Sequence, residues 1–383
     1  MVVLWFCGVF CFAMSVVTEK LARPTVSRAR RTIAVPASPS QASSQASSQA
    51  SLHGPRMLAI GSGGNKFIEL LAEAHELRVR TGKDWEVLAG ISAGALLCGL
   101  ISMIPLNDAK AFEKDLTRAR EKFIHSSKSS PFRPWVPLGA FASALFAVMF
   151  DKPSVFRGNG KFVRKEFDNN RFRESGRRLL VGIFDQTRQQ YRTVDSKWHS
   201  GQDITQAIAA SCAVPVVVPG IHFHGHLCRD GGMCHTLPVN EIFQFVKRHR
   251  GVARVHVDLL VSDGLRTAPP PRDKPNVTQA MLDVCTSLVW LNLQRDLRRL
   301  VATLLVPQGS KAAEVDEVLN RVRSGEQRNF DMPWGTMRIV SPVDLNPRRT
   351  PRTTFRVPHR DTAEALLDRG TKAAQAALKK NKL

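Results

Sequence analysis

One short segment restricts the fold of this chain more than any other, the pattern Gly90-Ile91-Ser92-Ala93-Gly94. Residues 85–90 before it, with the sequence WEVLAG, predict a buried strand, and residues 92–104 after it predict a helix that stops before Pro105. A strand that passes into a helix without a gap must turn sharply at Ser92, where only small neighbours fit. The pattern therefore favours a nucleophilic serine at a helix N-terminus over a glycine-rich turn with a structural serine.

Strands and helices alternate through the rest of the middle of the chain. A helix is predicted over residues 68–82, with Gly82 as its C-cap, and a shorter one over residues 204–211. Short apolar runs predict further strands at residues 57–60, 178–185, 191–194, 214–218, 257–262 and 337–342. This alternation is typical of an α/β sheet that carries helices on both faces.

A glycine-rich loop, residues 61–66 with the sequence GSGGNK, lies between the first predicted strand and the first predicted helix. Its backbone amides could face a negative charge, so the loop fits an oxyanion hole, a phosphate cradle or a plain turn. The loop lacks the GK[ST] ending of a phosphate-binding loop, and no Rossmann spacing is present. These absences favour the oxyanion hole.

Four motifs together resemble the patatin-like phospholipase family in its usual order. They are LAIGSGGNK at 58–66, LAGISAGALLCGLIS at 88–102, IAASCAVPVVVPG at 208–220 and CRDGGMCHTLPV at 228–239. The resemblance implies a three-layer α/β/α hydrolase with a mainly parallel central sheet, over about residues 55–345. It also implies hydrolysis of lipid acyl esters, with a phospholipid or acylglycerol substrate at a membrane or lipid surface and without a metal or cofactor.

The resemblance assigns roles residue by residue. Ser92 would be the nucleophile and Asp230 the base, and the two motifs that hold them would be shaped by Gly90, Gly94, Gly231 and Gly232. The amides of Gly63, Gly64 and Asn65 would hold the oxyanion.

The chain departs from the family pattern at three places. Ser62 and Phe67 stand where the family loop usually has glycine, and the asparagine that the family favours near His235 or Thr236 is absent. The alternative function is therefore a catalytically weak or inactive patatin-like lipid-binding protein.

Histidines leave two further alternatives open. An α/β-hydrolase triad needs a histidine after its acid, and His235, His249, His256 and His359 all follow Asp230. The Asp-Gly-Gly context and the glycine-rich loop weigh against a triad. His222, His224 and His226 alternate close to Cys228, which fits either a metal site or an exposed hairpin that turns at Gly225.

The chain is strongly basic, with a formal net charge of +22. Such a charge attracts polyanions. The basic residues are scattered and are not interleaved with stacking aromatics, so we expect an anionic membrane surface as the partner and no nucleic acid.

The ends of the chain differ from its middle. Residues 1–17 are apolar and predict a signal or a short membrane anchor, and residues 18–54 are rich in Ser, Ala and Arg and predict a disordered linker or transit segment. Residues 346–383 predict a basic tail with a C-terminal helix. Residues 136–150 form a second uncharged run, which fits a buried helix, a flap over the active site or a lipid-contacting surface.

We expect a membrane-associated or organellar protein after N-terminal targeting. Secretion is less favoured, because basic residues follow the apolar run at residues 1–17.

Cleavable targeting makes a simple prediction: the mature protein lacks Met1. Mass spectrometry of the mature N-terminus checks it, and an intact residue 1 would exclude cleavage.

Overall fold

The computed structural model describes residues 54–125, 133–134, 156–157, 159–215, 217–251, 253–262, 265, 277–342 and 360–379. The chain divides into residues 1–53 and 54–383, and all described residues belong to the second unit. The predictions for residues 1–53 and 136–150 therefore lie outside the described residues. Among those that are described, no helix combines the length and apolar composition needed to cross a membrane.

A nine-stranded sheet forms the centre of the unit, in the order β10-β11-β9-β1-β2-β5-β8-β7, with β6 also paired to β5. The strands are β1 (Arg56–Ile60), β2 (Val87–Ile91), β5 (Arg178–Asp185), β6 (Gln190–Asp195), β7 (Ile221–Phe223), β8 (His226–Asp230), β9 (Val255–Leu260), β10 (Asn329–Met332) and β11 (Gly335–Val340). Two short strands, β3 (Arg133–Pro134) and β4 (Phe156–Arg157), pair with each other outside this sheet.

Ten α-helices occur among the described residues. They are α1 (Phe67–Thr81), α2 (Ala93–Ser102), α3 (Ala109–His125), α4 (Gly160–Glu166), α5 (Asn169–Glu174), α6 (Gly201–Ser211), α7 (Val239–His249), α8 (Val277–Leu300), α9 (Ala312–Ser324) and α10 (Arg360–Leu378). A short π-helix, Val301–Leu305, follows α8 directly.

The middle of the sheet is parallel, because β11, β9, β1, β2 and β5 all run in one direction. Alternate residues of each strand face opposite cores. Leu58 and Ile60 of β1 join a core with α1, α2, α6 and α10, whereas Met57 and Ala59 join a second core with α7, α8 and α9. Helices therefore cover both faces, and the expected α/β/α fold with a mainly parallel central sheet is confirmed.

Most of the elements predicted from the sequence are present, but the strand predicted at residues 214–218 is wrong. The described residues of that segment form a turn, in which the amide of Val218 donates to the carbonyl of Val214 at 2.9 Å. Pro215 has no amide hydrogen for a sheet, and the turn returns the chain from α6 towards β7. The β-branched residues indicated a strand only because they are apolar.

The helix predicted near the C-terminus is α10, and it packs against α1 as part of the first core. Ala363, Leu366 and Ala374 are buried in this contact. Gly370 permits the close approach, since a Cβ atom there would lie 2.3 Å from the carbonyl oxygen of Glu69.

A buried ion pair joins the starts of β2 and β5. The guanidinium of Arg177 donates to both carboxylate oxygens of Asp84, at 2.7 Å and 2.8 Å, and also to the carbonyl of Ile104 at 2.9 Å. The side chain of Arg177 is fully buried. The pair therefore ties β5 to the segment before β2 without contact with solvent.

Replacement of Asp84 by alanine leaves a buried charge without its partner. We expect Asp84→Ala to lower the free energy of unfolding by about 3–5 kcal/mol, measured by urea denaturation. Asp368→Ala is the matched control, because the Lys372–Asp368 pair is exposed and its loss costs less than about 1 kcal/mol. Equal losses in the two variants would contradict a structural role for the buried pair.

Candidate active site

Ser92 occupies a strained turn between β2 and α2. Its backbone angles are φ 57° and ψ −124°, a conformation that residues other than glycine rarely adopt. A Cβ atom on Gly90 would lie 2.4 Å from the carbonyl oxygen of Gly94, and one on Gly94 would lie 2.4 Å from the carbonyl oxygen of Ile60. Both glycines are therefore required for the turn to fit against β1, as the sequence pattern predicted.

Strand β5 brings the end of β2 and the end of β8 together. Strand β2 runs parallel to β5 up to the pair Ile91–Gly182, and β8 runs antiparallel to it up to the pair Asp230–Ile183. Because β6 occupies the other edge of β5, β2 and β8 share one edge and meet end to end. Residues that are 138 apart in the sequence thus become neighbours.

The two predicted catalytic side chains are in direct contact. Ser92 Oγ donates to Asp230 Oδ2 at 2.7 Å, and both residues are buried. The amide of Gly232 donates to Asp230 Oδ1 at 2.7 Å and fixes the carboxyl group. Gly231 must lack a side chain, since a Cβ atom there would lie 2.6 Å from the carbonyl oxygen of Gly182.

The environment of Asp230 adjusts its acidity. Burial raises the pKa of this carboxyl group to about 7, although the hydrogen bonds from Ser92 and Gly232 act in the opposite direction. A carboxylate with a pKa near neutrality can take a proton and return it under ordinary conditions. The carboxyl group therefore has the acidity that a general base needs.

Ser211, at the end of α6, holds the backbone of Ser92. The amide of Ser92 donates to Ser211 Oγ at 2.8 Å, and Ser211 Oγ donates to the carbonyl of Gly182 at 2.6 Å. Cys212 Sγ donates to the carbonyl of Ser92 at 3.2 Å. The motif at residues 208–220 contains both residues, but the sequence gave no role for either side chain.

The glycine-rich loop lies at the same edge of the sheet. It follows β1, which is adjacent and parallel to β2, so both connections leave the carboxyl ends of their strands. The amides of Gly61 and Ser62 donate to the carbonyls of Leu260 and Thr236. Among the described residues, no acceptor forms a hydrogen bond with the amide of Gly63 or of Gly64. Both amides are therefore available to donate to an oxyanion. Asn65 belongs to the same 3₁₀ turn.

The departures from the family loop fit this geometry. Only Gly64 in the loop has a positive φ, of 53°, so Ser62 occupies an ordinary backbone conformation. Phe67 is the first residue of α1 and has helical angles, φ −46° and ψ −40°. Its side chain is buried in the first core. Neither position needs a glycine in this chain.

Asp296 of α8 organises the chain that follows Asp230. Its carboxylate accepts hydrogen bonds from the amides of Thr236 at 2.6 Å and Leu237 at 3.2 Å, and it contacts His235 Nδ1 at 2.9 Å. This carboxylate supports the loop where the family favours asparagine. Sequence analysis missed Asp296, because nothing in the sequence indicates which residue contacts that loop.

The histidines that could have formed a triad bind elsewhere. His235 contacts Asp296, His249 contacts the carbonyl of Phe245, and His256 contacts Thr336. His359 lies outside the described residues. Of the histidines that are described, none forms a hydrogen bond with Ser92 or Asp230, so the geometry favours the serine–aspartate pair over a triad.

The alternating histidines lie on the predicted hairpin, formed by β7 and β8 with its turn at His224 and Gly225. His224 pairs with Asp203 at 3.0 Å, and His226 lies 3.7 Å from Asp185. Within the described part of the chain, no group of three or more His, Cys, Asp or Glu side chains is placed to hold a metal ion.

The fold and the site define an α/β/α protein with a serine–aspartate pair at the sheet edge where the glycine-rich loop also lies. Residues 58–243 match the family model described as patatin-like phospholipase, and this part of the chain is a domain of that family. The resemblance inferred from the motifs is thereby confirmed, and the family is one of lipid acyl hydrolases.

The similarity to solved structures and to curated proteins is weaker than the match to the family model. The crystal structure of VipD from Legionella pneumophila is similar at 16% identity with a TM-score of 0.33, over 84% of this chain and 67% of that chain. No curated protein sequence matches the chain.

The raised pKa of Asp230 predicts a pH profile. A base must be unprotonated to accept a proton, so kcat/KM for an acyl ester should rise about tenfold per pH unit below a pKa of about 7 and level off above it. Initial rates measured with a soluble ester from about pH 5 to 9 check this. A profile that is flat across neutral pH would contradict the assignment of Asp230 as base.

Proposed function

We propose that the protein is a lipid acyl ester hydrolase of the phospholipase A or lipase type, with Ser92 as nucleophile and Asp230 as base. The observation that carries this proposal is the 2.7 Å hydrogen bond from Ser92 Oγ to Asp230 Oδ2 at a strained turn. A hydroxyl held in that way at a helix N-terminus is prepared to lose its proton to the carboxylate.

The reaction proceeds in two acyl-transfer steps. Asp230 takes the Ser92 proton while Ser92 Oγ attacks the ester carbonyl, and the amides of Gly63, Gly64 and Asn65 hold the oxyanion that forms. The leaving alcohol receives the proton as the carbon–oxygen bond of the ester breaks. A water molecule then gives a proton to Asp230 while its oxygen attacks the acyl carbonyl. The bond from the acyl group to Ser92 Oγ breaks, the fatty acid leaves, and Asp230 returns the proton to Ser92 Oγ.

The remaining contacts hold this arrangement in place. Ser211 links the backbone of Ser92 to β5, and the amide of Gly232 fixes the carboxyl group of Asp230. Asp296 fixes the loop that follows Asp230 in the chain. Because each group is positioned before substrate arrives, little reorganisation is needed during the reaction.

Phospholipids or acylglycerols at a membrane surface are the proposed substrates. Support comes from the family, whose members act on lipids, and from the net charge of +22, which favours an anionic bilayer. Targeting by residues 1–54 to a membrane or an organelle belongs to the same proposal. No nucleic acid is proposed as a partner.

Removal of either member of the pair should abolish the activity. We expect Ser92→Ala and Asp230→Asn to lower fatty-acid release from phospholipid vesicles by at least about a thousandfold, with folding retained. A fluorophosphonate probe should label the wild type and fail to label Ser92→Ala. Ser102→Ala is the matched control, because Ser102 is the last residue of the helix that begins after Ser92 and donates only to the carbonyl of Gly99.

Two outcomes would contradict the proposal. Labelling that persists in Ser92→Ala would place the reactive serine elsewhere. A wild-type chain that binds vesicles but neither labels nor releases fatty acid would instead be a catalytically inactive lipid-binding relative.

A further inference from the structure

Tyr191 is the only tyrosine of the chain, and its hydroxyl group lies against the backbone of Gly182. It belongs to β6, which pairs with β5 on the edge opposite to β2 and β8. A Cβ atom on Gly182 would lie 2.1 Å from the hydroxyl oxygen of Tyr191. Gly182 has no positive φ, so glycine is needed there for space and not for its backbone conformation. The hydroxyl group therefore takes the place of a side chain on β5.

Both halves of the serine–aspartate pair are linked to Gly182. Its carbonyl oxygen accepts from Ser211 Oγ, which in turn accepts from the amide of Ser92. The same carbonyl group closely approaches Gly231, the residue directly after Asp230. A displacement of Gly182 would therefore move Ser92 and Asp230 relative to each other.

The side chain of Ile91 shares the space at Gly182 with the hydroxyl group. Ile91 pairs with Gly182 in the parallel register of β2 and β5, and it directly precedes Ser92 in the chain. A Cβ atom on Gly182 would lie 2.9 Å from Ile91 Cγ1, on the side where the hydroxyl oxygen lies. Because buried groups pack closely, loss of the hydroxyl group would leave a void into which Ile91 and Gly182 can move.

Glu241, in the first turn of α7, orients the hydroxyl group. The hydroxyl group of Tyr191 donates to Glu241 Oε1 at 2.9 Å, and the hydroxyl group of Thr193 donates to the same oxygen. Glu241 is 2% exposed. Burial raises the pKa of Tyr191 well above its usual value, and the carboxyl group of Glu241 acts in the same direction. The hydroxyl group therefore keeps its proton and keeps donating across the range in which Asp230, with a pKa of about 7, titrates.

The ring of Tyr191 also contacts the loop that follows Asp230. It meets the imidazole of His235 edge to face, with the ring centroids 4.8 Å apart. His235 contacts Asp296, the residue that holds this loop. One side chain therefore lies against both β5 and the loop next to the base.

We propose that Tyr191 is a positioning residue: its hydroxyl group, oriented by Glu241, keeps Gly182 in place and thereby holds Ser92 Oγ within hydrogen-bonding distance of Asp230. The inference rests on the proposed lipid hydrolase function and adds a residue that acts through the backbone of β5. A small misplacement of reacting groups is enough to slow a reaction strongly.

Removal of a single oxygen atom tests this role. Tyr191→Phe should lower kcat for a soluble short-chain ester about tenfold and leave KM within about twofold, because it alters the alignment of the pair and removes no contact with the substrate. Thr193→Val is the matched control, since it removes the other hydroxyl group that donates to Glu241 and leaves the contact at Gly182. It should keep kcat within about twofold. Rates are divided by the concentration of sites that a fluorophosphonate probe labels at completion, so that unfolded protein does not contribute.

The pH profile separates positioning from stability. The hydrogen bond from Ser92 lowers the pKa of Asp230. A looser pair should therefore move the rise of kcat/KM towards higher pH in Tyr191→Phe. A residue that only stabilises the fold would lower the urea midpoint and leave the profile unchanged.

A second variant tests the contact itself. Gly182→Ala places a methyl group where the hydroxyl group lies, and it should lower kcat about a hundredfold or more. The same change should cost less in the Tyr191→Phe background, because the closest overlap is gone while the ring carbon Cζ and Ile91 remain. A combined loss equal to the product of the two single losses would contradict the contact.

The outcomes distinguish this inference from the proposed function. An active wild type with an unchanged kcat in Tyr191→Phe, or with an equal loss in Thr193→Val, would overturn the role of Tyr191 alone. A wild type that neither hydrolyses the ester nor labels would overturn the hydrolase, and the role of Tyr191 with it.

Discussion

The pairing of one edge of β5 with two strands of opposite direction is the constraint on which the site depends. Strand β2 reaches Gly182 from one side and β8 reaches Ile183 from the other, so the chain delivers Ser92 and Asp230 to a single point. Gly182 also accepts the hydrogen bond from Ser211, and no side chain fits there because the Tyr191 hydroxyl occupies the space. A backbone junction, and not a side-chain cluster, therefore fixes the serine–aspartate pair.

The sequence predicted those parts of the molecule whose causes are local. A strand, a serine between small residues and an apolar helix follow one another, so the turn at Ser92 could be inferred from steric limits alone. Gly82 was identified as a helix C-cap, and it has the expected left-handed φ of 63°. The assignment of Asp230 depended on the family resemblance, because no local pattern relates it to Ser92.

Long-range contacts account for what could not be predicted. Ser211 and Asp296 act through hydrogen bonds to chain segments 119 and 60 residues away. Ser211 lies in one of the four motifs, but its motif does not indicate which segment its side chain contacts, and Asp296 lies in no motif. The segment at residues 214–218 was wrongly predicted as a strand, because its described residues form a turn closed by the hydrogen bond from Val218 to Val214. Apolar character indicates burial, but the partner decides between strand and turn.

The packing of α10 on α1 has a consequence for the order in which the site assembles. The close contacts of Gly90 and Gly94 that shape the turn at Ser92 involve only β1, β2 and α2, which are close in sequence. By contrast, α1 is covered by a helix some 300 residues away, where Gln375 donates to Glu76 at 2.9 Å. Contacts that close such long loops form slowly. Since α1 directly continues the glycine-rich loop, we expect the turn at Ser92 to form earlier in folding than the loop becomes rigid.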